Sequence, residues 1–162
     1  MSDPLAWKRR TIAAQALGAI EPTTKAIVPP VHVASTYIRD PDNQYRAGFA
    51  YGRPDNATVR QAETVIAALE GAEDAMLLGS GMSAATSVVL AVTPPAHIVA
   101  PQVMYWGLRN WMVNEARPYG YEVTLVDTSD LEALKRAVRP GETKLVWLET
   151  PSNPTWDITD IA

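Results

Sequence analysis

Residues 75–87 read AMLLGSGMSAATS, and the reading of this stretch decides the fold. A short apolar run ends in Gly79-Ser80-Gly81-Met82, and a run of small residues follows. That order is a strand, a tight glycine turn and a helix N-terminus. The first N–H groups of a helix have no partner inside it, and the helix dipole adds positive potential there. Such a junction suits an anion, most often a phosphate. A glycine turn that holds nothing has the same local sequence. The choice between them rests on what else the chain brings to the spot.

Working outward, strands and helices alternate with short connections. Asp74–Leu78 reads as the strand entering the turn. Met82–Val92 reads as a buried helix stopped by Pro94-Pro95. His97–Ala100 is a short apolar strand. Tyr105–Ala116 is a helix rich in large residues, and Tyr121–Val126 alternates as a strand does. Ser129 and Glu132 form a capping box for a helix through Val138, which Pro140-Gly141 ends. Lys144–Leu148 is a further strand, followed by a polar loop over 149–154. This alternation predicts a mostly parallel α/β sheet covered by helices on both faces. Ligands in such sheets bind beyond the carboxyl ends of the strands, here loops 79–82, 101–107, 127–129 and 149–154.

Upstream, Thr58–Leu69 reads as a helix with Thr58 and Gln61 as its capping box, and Gly71 ends it. Residues 21–58 carry Pro22, Pro29, Pro30, Pro41 and Pro54, so they read as loop with one extended piece over Val31–Tyr37. A loop this long binds a ligand or reaches across to another subunit. Lys8–Leu17 has one apolar face at helical spacing, with Gly18 as its stop. Asp157–Ala162 looks like the first turn of another helix. A single turn is not stable alone, so the chain is expected to be an N-terminal piece of a longer polypeptide or otherwise incomplete.

The bulk numbers close off several functions. The chain has 162 residues, 47% hydrophobic and 20% charged, which gives a domain with a core. A net charge of −4 and a pI of about 5.1 speak against a nucleic-acid surface. No apolar run is long enough to span a bilayer, so no membrane partner is expected. The opening MSDPLAWKRR has no apolar run after its basic pair, so no signal peptide is expected. Without cysteine there is no thiol chemistry, which fits a reducing cytoplasm. His32 and His97 are too few and too isolated for a metal site.

The chemistry then narrows. Gly79-Ser80-Gly81-Met82-Ser83-Ala84 fits the dinucleotide pattern G-x-G-x-x-A, which also needs an acid about 20 residues on for the ribose. No Asp or Glu occurs between Asp74 and Glu115, which speaks against that cofactor. Tyr51-Gly52-Arg53 closes the long loop and offers two good phosphate donors, or a solvated Arg beside a packing Tyr. Tyr105 opens a helix after the second strand, where an aromatic ring stacks on a planar cofactor or packs into the core. Glu149 and Asn153 lie in the 149–154 loop at the crevice. Asn153 can hydrogen-bond a phenolate or hydroxyl oxygen, or serve ordinary turn chemistry.

Six short motifs then fall in order over residues 29–154. They are Pro29-Pro30 with Ser35-Thr36-Tyr37, Tyr51-x-Arg53-x-x-Asn56-x-Thr58, Leu69-Glu70-Gly71, Ser80-Gly81-Met82, Tyr105-x-Gly107, and Glu149-Thr150-Pro151-Ser152-Asn153-Pro154. With them the chain resembles the Cys/Met-metabolism group of pyridoxal-phosphate enzymes, the transsulfuration enzymes. These include cystathionine γ-synthase, cystathionine β- and γ-lyases, methionine γ-lyase and O-acylhomoserine sulfhydrylases. The resemblance implies a fold-type-I large domain, incomplete here, over residues 58–162, preceded by an N-terminal helix and arm over 1–57. It implies pyridoxal 5'-phosphate, with its phosphate held by Ser80, Gly81 and Met82. Tyr51 and Arg53 would reach the phosphate of a neighbouring subunit, in a homodimer or homotetramer with shared sites. Tyr105 would stack on the ring and assist catalysis, and Asn153 would sit near the phenolic oxygen. The substrate would be a small amino acid. The activity would be γ-replacement or elimination of the cystathionine γ-synthase kind, with cystathionine β-lyase or methionine γ-lyase as alternatives. A truncated relative that only dimerises or binds anions is the non-enzymatic alternative.

Two departures concern substrate preference: Tyr105-Trp106-Gly107-Leu108 stands for Tyr-Gly-Gly-Thr, and Asn56-Ala57-Thr58 for Asn-Pro-Thr. The family's Schiff-base lysine lies later than this chain reaches. Lys8, Lys25, Lys135 and Lys144 are not placed to replace it, so the 162 residues are expected to be inactive alone.

Overall fold

Strand β1 (Ala96–Pro101, AHIVAP) buries all six of its residues. That follows from its place at the centre of a three-stranded sheet of order β2-β1-β3. Both pairings are parallel, so β1 has no solvated edge. β2 (Tyr121–Val126) pairs along its whole length, from Ala96 opposite Tyr121 to Pro101 opposite Val126. β3 (Thr143–Val146) lies on the other side, with a register irregularity between His97 and Ile98. The computed structural model describes residues 6–161. The chain divides into two compact units, Met1–Leu77 and Leu78–Ala162, and the sheet belongs to the second.

In the second unit the core is a cluster over one sheet face. Helix α3 (Gly81–Ala91) contributes Ala85 and Val89. Helix α4 (Trp106–Asn110) contributes Leu108, and the turn after it contributes Met112 and Ala116. These pack on Ala96, Ile98, Ala100 and Tyr121, and the Tyr121 hydroxyl donates to Val92 O at 2.8 Å. Helix α5 (Leu131–Ala137) buries none of its residues. His97 is the polar exception in β1. Its ring nitrogens lie 2.7 Å from Thr143 Oγ1 and 2.8 Å from Thr124 Oγ1, so one imidazole joins all three strands. Burial, aided by the charge of Arg139, holds its pKa below the ordinary value.

The first unit is built differently. Helix α1 (Arg9–Gln15) packs on helix α2 (Ala57–Glu70), with Ile12 and Ala67 buried. The Gln61 amide donates to Ala16 O at 3.3 Å. The arm before α2 is pinned at two places. His32 N–H donates to Thr58 Oγ1 at 2.8 Å, while the Asn56 amide donates to His32 O at 3.0 Å. Further along, Gly52 N–H donates to Ser35 O at 2.8 Å, beside an antiparallel bridge between Thr36 and Tyr51. Gly52 is required there, because a Cβ would lie 2.3 Å from Ala34 O.

The structure corrects several local expectations. The capping box of Thr58 and Gln61 does not form: Asn56 is the N-cap and accepts from Thr58 N–H at 2.8 Å. Nor does the box of Ser129 and Glu132. Asp130 caps α5, accepting from Glu132 and Ala133 N–H groups, while Ser129 turns back to Asp127. Residues 74–78 are not in a ladder among the described residues. Carboxylates take N–H groups a ladder would use: Asp74 accepts from Ala75 and Glu63 from Leu77. The extended piece over Val31–Tyr37 reduces to the single bridge at Thr36. The helix foreseen over Tyr105–Ala116 is helical to Asn110 and then winds as a π turn over Trp111–Glu115, with Ala116 N–H donating to Trp111 O at 2.9 Å. Residues 157–161 are not helical, and Ala162 lies outside the described residues. Thr159 explains this, since its N–H donates to Thr150 Oγ1 at 3.0 Å and its hydroxyl to Thr128 at 2.8 Å. The strand over Tyr121–Val126 keeps its expected ends, and those of the other helices and strands shift by one or two residues.

Candidate functional site: a cleft at the N-terminus of a glycine-led helix

The second unit holds an open cleft of about 480 Å³, lined by Ser80, Gly81, Met82, Ala85, Tyr105, Leu108, Trp147 and Glu149. Three elements meet there. They are the N-terminus of α3, the loop leaving β1, and the segment leaving β3, so the cleft lies at the carboxyl end of the sheet as parallel sheets dictate.

Ser80 is the N-cap of α3, with extended backbone, and its Oγ accepts from Ser83 N–H at 3.0 Å. The N–H groups of Gly81 and Met82 stand in the first turn, where the helix supplies no acceptor. Neither Gly79 nor Gly81 has a left-handed φ, and a Cβ at either would meet nothing within 4 Å. The protein's own packing therefore gives no reason for glycine at these two positions. The missing Cβ atoms leave room for a group to approach the backbone closely.

Tyr105 forms the facing wall. It is the residue before α4 and is 53% exposed. Its ring lies on Gly107, where a Cβ would come within 2.8 Å of Cε1, so Gly107 is explained by the ring it supports. Glu149 reaches across: its Oε2 accepts from Tyr105 N–H at 2.8 Å and its Oε1 from the Trp147 indole at 3.1 Å. Sequence reasoning puts Glu149 in the crevice loop without a role and passes over Trp147. The available signal is their spacing of two, which sets both on one side of an extended segment.

Ser80, Gly81, Met82 and Tyr105 thus come together in one cleft. Asn153 is exposed and is not among the residues lining it. Tyr51 and Arg53 belong to the first unit, where they pair with each other. Arg53 Nη2 donates to Tyr51 OH at 2.9 Å, with the guanidinium carbon 5.1 Å from the ring centroid. Both are exposed, and no carboxylate forms an ion pair with Arg53 among the described residues. Among the described residues no group of three or more His, Cys, Asp or Glu could hold a metal ion, and no helix is long and apolar enough to cross a membrane.

A parallel α/β domain with an open helix N-terminus facing an exposed aromatic ring is an arrangement that suits a planar, anionic guest. Comparison with known proteins gives the class. The sequence pattern of the Cys/Met metabolism PLP-dependent enzymes matches residues 10–162, and the chain belongs to that family. It is 34% identical over 139 residues to human cystathionine γ-lyase, covering 86% of this chain and 34% of that protein. It is 38% identical over 152 residues to L-methionine γ-lyase of Porphyromonas gingivalis, covering 89% of this chain and 38% of the relative. A crystal structure of metB from Corynebacterium glutamicum superposes with a TM-score of 0.87 at 34% identity, covering 98% of this chain and 41% of that one. The fold is that of the fold-type-I pyridoxal-phosphate enzymes, and the chain spans about a third of the length of the curated relatives it matches.

Proposed function

We propose that this chain supplies the phosphate-binding and ring-stacking half of a transsulfuration enzyme of the cystathionine γ-synthase kind. Its substrates would be homoserine esters or cystathionine. The observation that carries the reading is the pair Gly79 and Gly81, open over unpartnered helix N–H groups and faced by Tyr105. Bound pyridoxal phosphate supplies an electron sink for bond breaking at the carbons of an amino acid. The chain's own residues bind and orient. The N–H groups of Gly81 and Met82, with the Ser80 hydroxyl, would hold the phosphate. Tyr105 would stack on the ring and offer its hydroxyl to a proton, and Asn153 would meet the phenolic oxygen. Tyr51 and Arg53, paired with each other and without a carboxylate partner among the described residues, would serve the phosphate of a second copy in a dimer or tetramer. The γ in the names of both relatives supports γ- over β-chemistry.

Among the described residues no lysine lines the cleft. Lys135 pairs with Glu132, and Lys144 donates to Gly141 O before β3. The 162 residues alone are therefore expected to give no borohydride-trapped adduct with pyridoxal phosphate, whereas the full-length protein gives one. The full-length protein is then assayed with O-succinylhomoserine plus cysteine, with cystathionine, and with methionine. Formation of cystathionine, or of α-keto acid and ammonia, supports the reading. Failure of the full-length protein to bind pyridoxal phosphate overturns it.

A further inference from the structure

We infer that Glu149 is the positioning residue for Tyr105: its carboxylate, held between the Tyr105 backbone N–H and the Trp147 indole, sets where the Tyr105 ring stands in the cleft. For its functional half this rests on the cofactor reading above.

Tyr105 stands outside the helix it introduces, with φ −53° and ψ 118°, and its side chain makes no capping hydrogen bond. Its N–H needs an acceptor from elsewhere. Glu149 provides it from 44 residues away. The two residues follow β1 and β3, which are paired neighbours in the sheet, so one carboxylate ties together the ends of adjacent strands. The second oxygen is occupied by Trp147, itself in the cleft wall. Among the described residues no cation forms an ion pair with Glu149, so these two N–H donors are what orients the carboxylate. From below, the ring rests on the bare Cα of Gly107. The backbone of Tyr105 is thus fixed from one side and its ring from the other, while the remaining face stays open to the cleft.

The test reads hydrogen exchange at the Tyr105 amide in the full-length protein without cofactor, with Ile98 and Val99 in β1 as the reference for intact fold. Glu149→Ala is expected to speed exchange at Tyr105 by roughly tenfold or more and to leave Ile98 and Val99 unchanged. Glu149→Gln keeps one oxygen for the Tyr105 N–H and is expected to restore most of the protection. Unchanged Tyr105 exchange in Glu149→Ala overturns the inference. If that variant loses the β1 protection too, Glu149→Met, which keeps side-chain length but accepts no strong hydrogen bond, decides in the same way. A second arm adds pyridoxal phosphate. Glu149→Ala is expected to weaken its binding and reduce the visible circular dichroism of the bound cofactor, with Glu149→Gln recovering part of both. If the unsubstituted protein binds no pyridoxal phosphate, the cofactor reading fails while the exchange result still decides the positioning role.

Discussion

The sheet of the second unit and the arm of the first treat apolar sequence in opposite ways. In the second, Val89, Ile98, Leu108 and Met112 are closed off from solvent in one cluster around β1. In the first, the arm leaves Val33 and Ile38 92% and 97% exposed, and Ile27, Val28 and Val31 are exposed with them. What holds the arm is instead a set of directed hydrogen bonds through Asn56, Thr58 and Gly52. Burial of apolar surface is the main source of folding free energy, and the cluster around β1 is where the second unit gains it. The arm has apolar side chains that no fold of its own uses. Exposed apolar side chains of that kind suit contact with something outside their unit, in keeping with the neighbouring copy proposed above.

The largest test of this contrast sets Ile98→Ala against Ile38→Ser. Truncating a fully buried core residue costs about 2–5 kcal/mol, so Ile98→Ala is expected to lower unfolding stability by that amount at every protein concentration. Ile38→Ser removes a side chain that touches water and is expected to change single-chain stability by no more than about 0.5 kcal/mol. In the proposed oligomer its effect should appear in sedimentation, as dissociation at higher protein concentration. Denaturant titration and sedimentation of both variants in the full-length protein read the two arms together. An Ile38→Ser variant that assembles as before would remove the interface role of the arm.

Glycines sharpen the contrast next. Gly52 is demanded by the arm's own backbone, so Gly52→Ala is expected to destabilise the first unit by about 2–3 kcal/mol. Gly81 is demanded by nothing in the protein. Gly81→Ala sits in the first turn of α3 with open space around its methyl and is expected to raise stability by up to about 1 kcal/mol. The same methyl stands where the phosphate is proposed to approach, so pyridoxal-phosphate affinity should fall at least tenfold. Gain of stability with loss of affinity, read by thermal melts and cofactor titration, would separate a binding glycine from a folding one.

Much of this division can be read in the sequence, and the parts that cannot share a cause. The alternation over Tyr121–Val126 is local and comes out with the same ends in the structure. Ser80-Gly81-Met82 and Tyr105 could be brought to one cleft because strand–helix order places all of them at the carboxyl end of a parallel sheet. The capping errors arose where two or three capping-type residues stand together, Asn56 beside Thr58 and Ser129 beside Asp130. Propensity cannot choose between such neighbours, since backbone direction decides. Residues 74–78 have strand composition, but a ladder needs a partner, and composition does not supply one. The clasp of Glu149 on Tyr105 spans 44 residues and depends on β1 and β3 being neighbours, which no local pattern reveals.

His97 offers a smaller effect with a defined pH signature. Its neutral ring is held between Thr124 and Thr143, with Arg139 near it and Glu122 and Glu142 opposing that charge. The folded pKa lies below the ordinary 6.5, so the unfolded chain takes up a proton first as pH falls. Stability is therefore expected to be full above about pH 6.5 and to decline below it until the folded pKa is passed. His97→Gln should cost about 1–2 kcal/mol at pH 8 through its weaker bridging, and should remove that part of the pH dependence. Denaturant midpoints between pH 5 and pH 8 check both. A slope that survives His97→Gln would have to come from carboxylates instead.

The smallest expected effect separates the two residues at the start of α5. Asp130 accepts from Glu132 N–H at 2.9 Å and from Ala133 N–H at 3.0 Å, so it satisfies two donors the helix leaves open. Its charge also sits at the positive end of the helix dipole. Ser129 contributes neither, since its hydroxyl donates to Asp127, whose carboxyl its two bonds hold below the usual range. Asp130→Ala is accordingly expected to cost about 1 kcal/mol and Ser129→Ala less than half of that. Because α5 buries none of its residues, there is no packing to mask the difference. Equal losses for the two variants would mean that the loop leaving β2, and not the cap, sets where α5 begins.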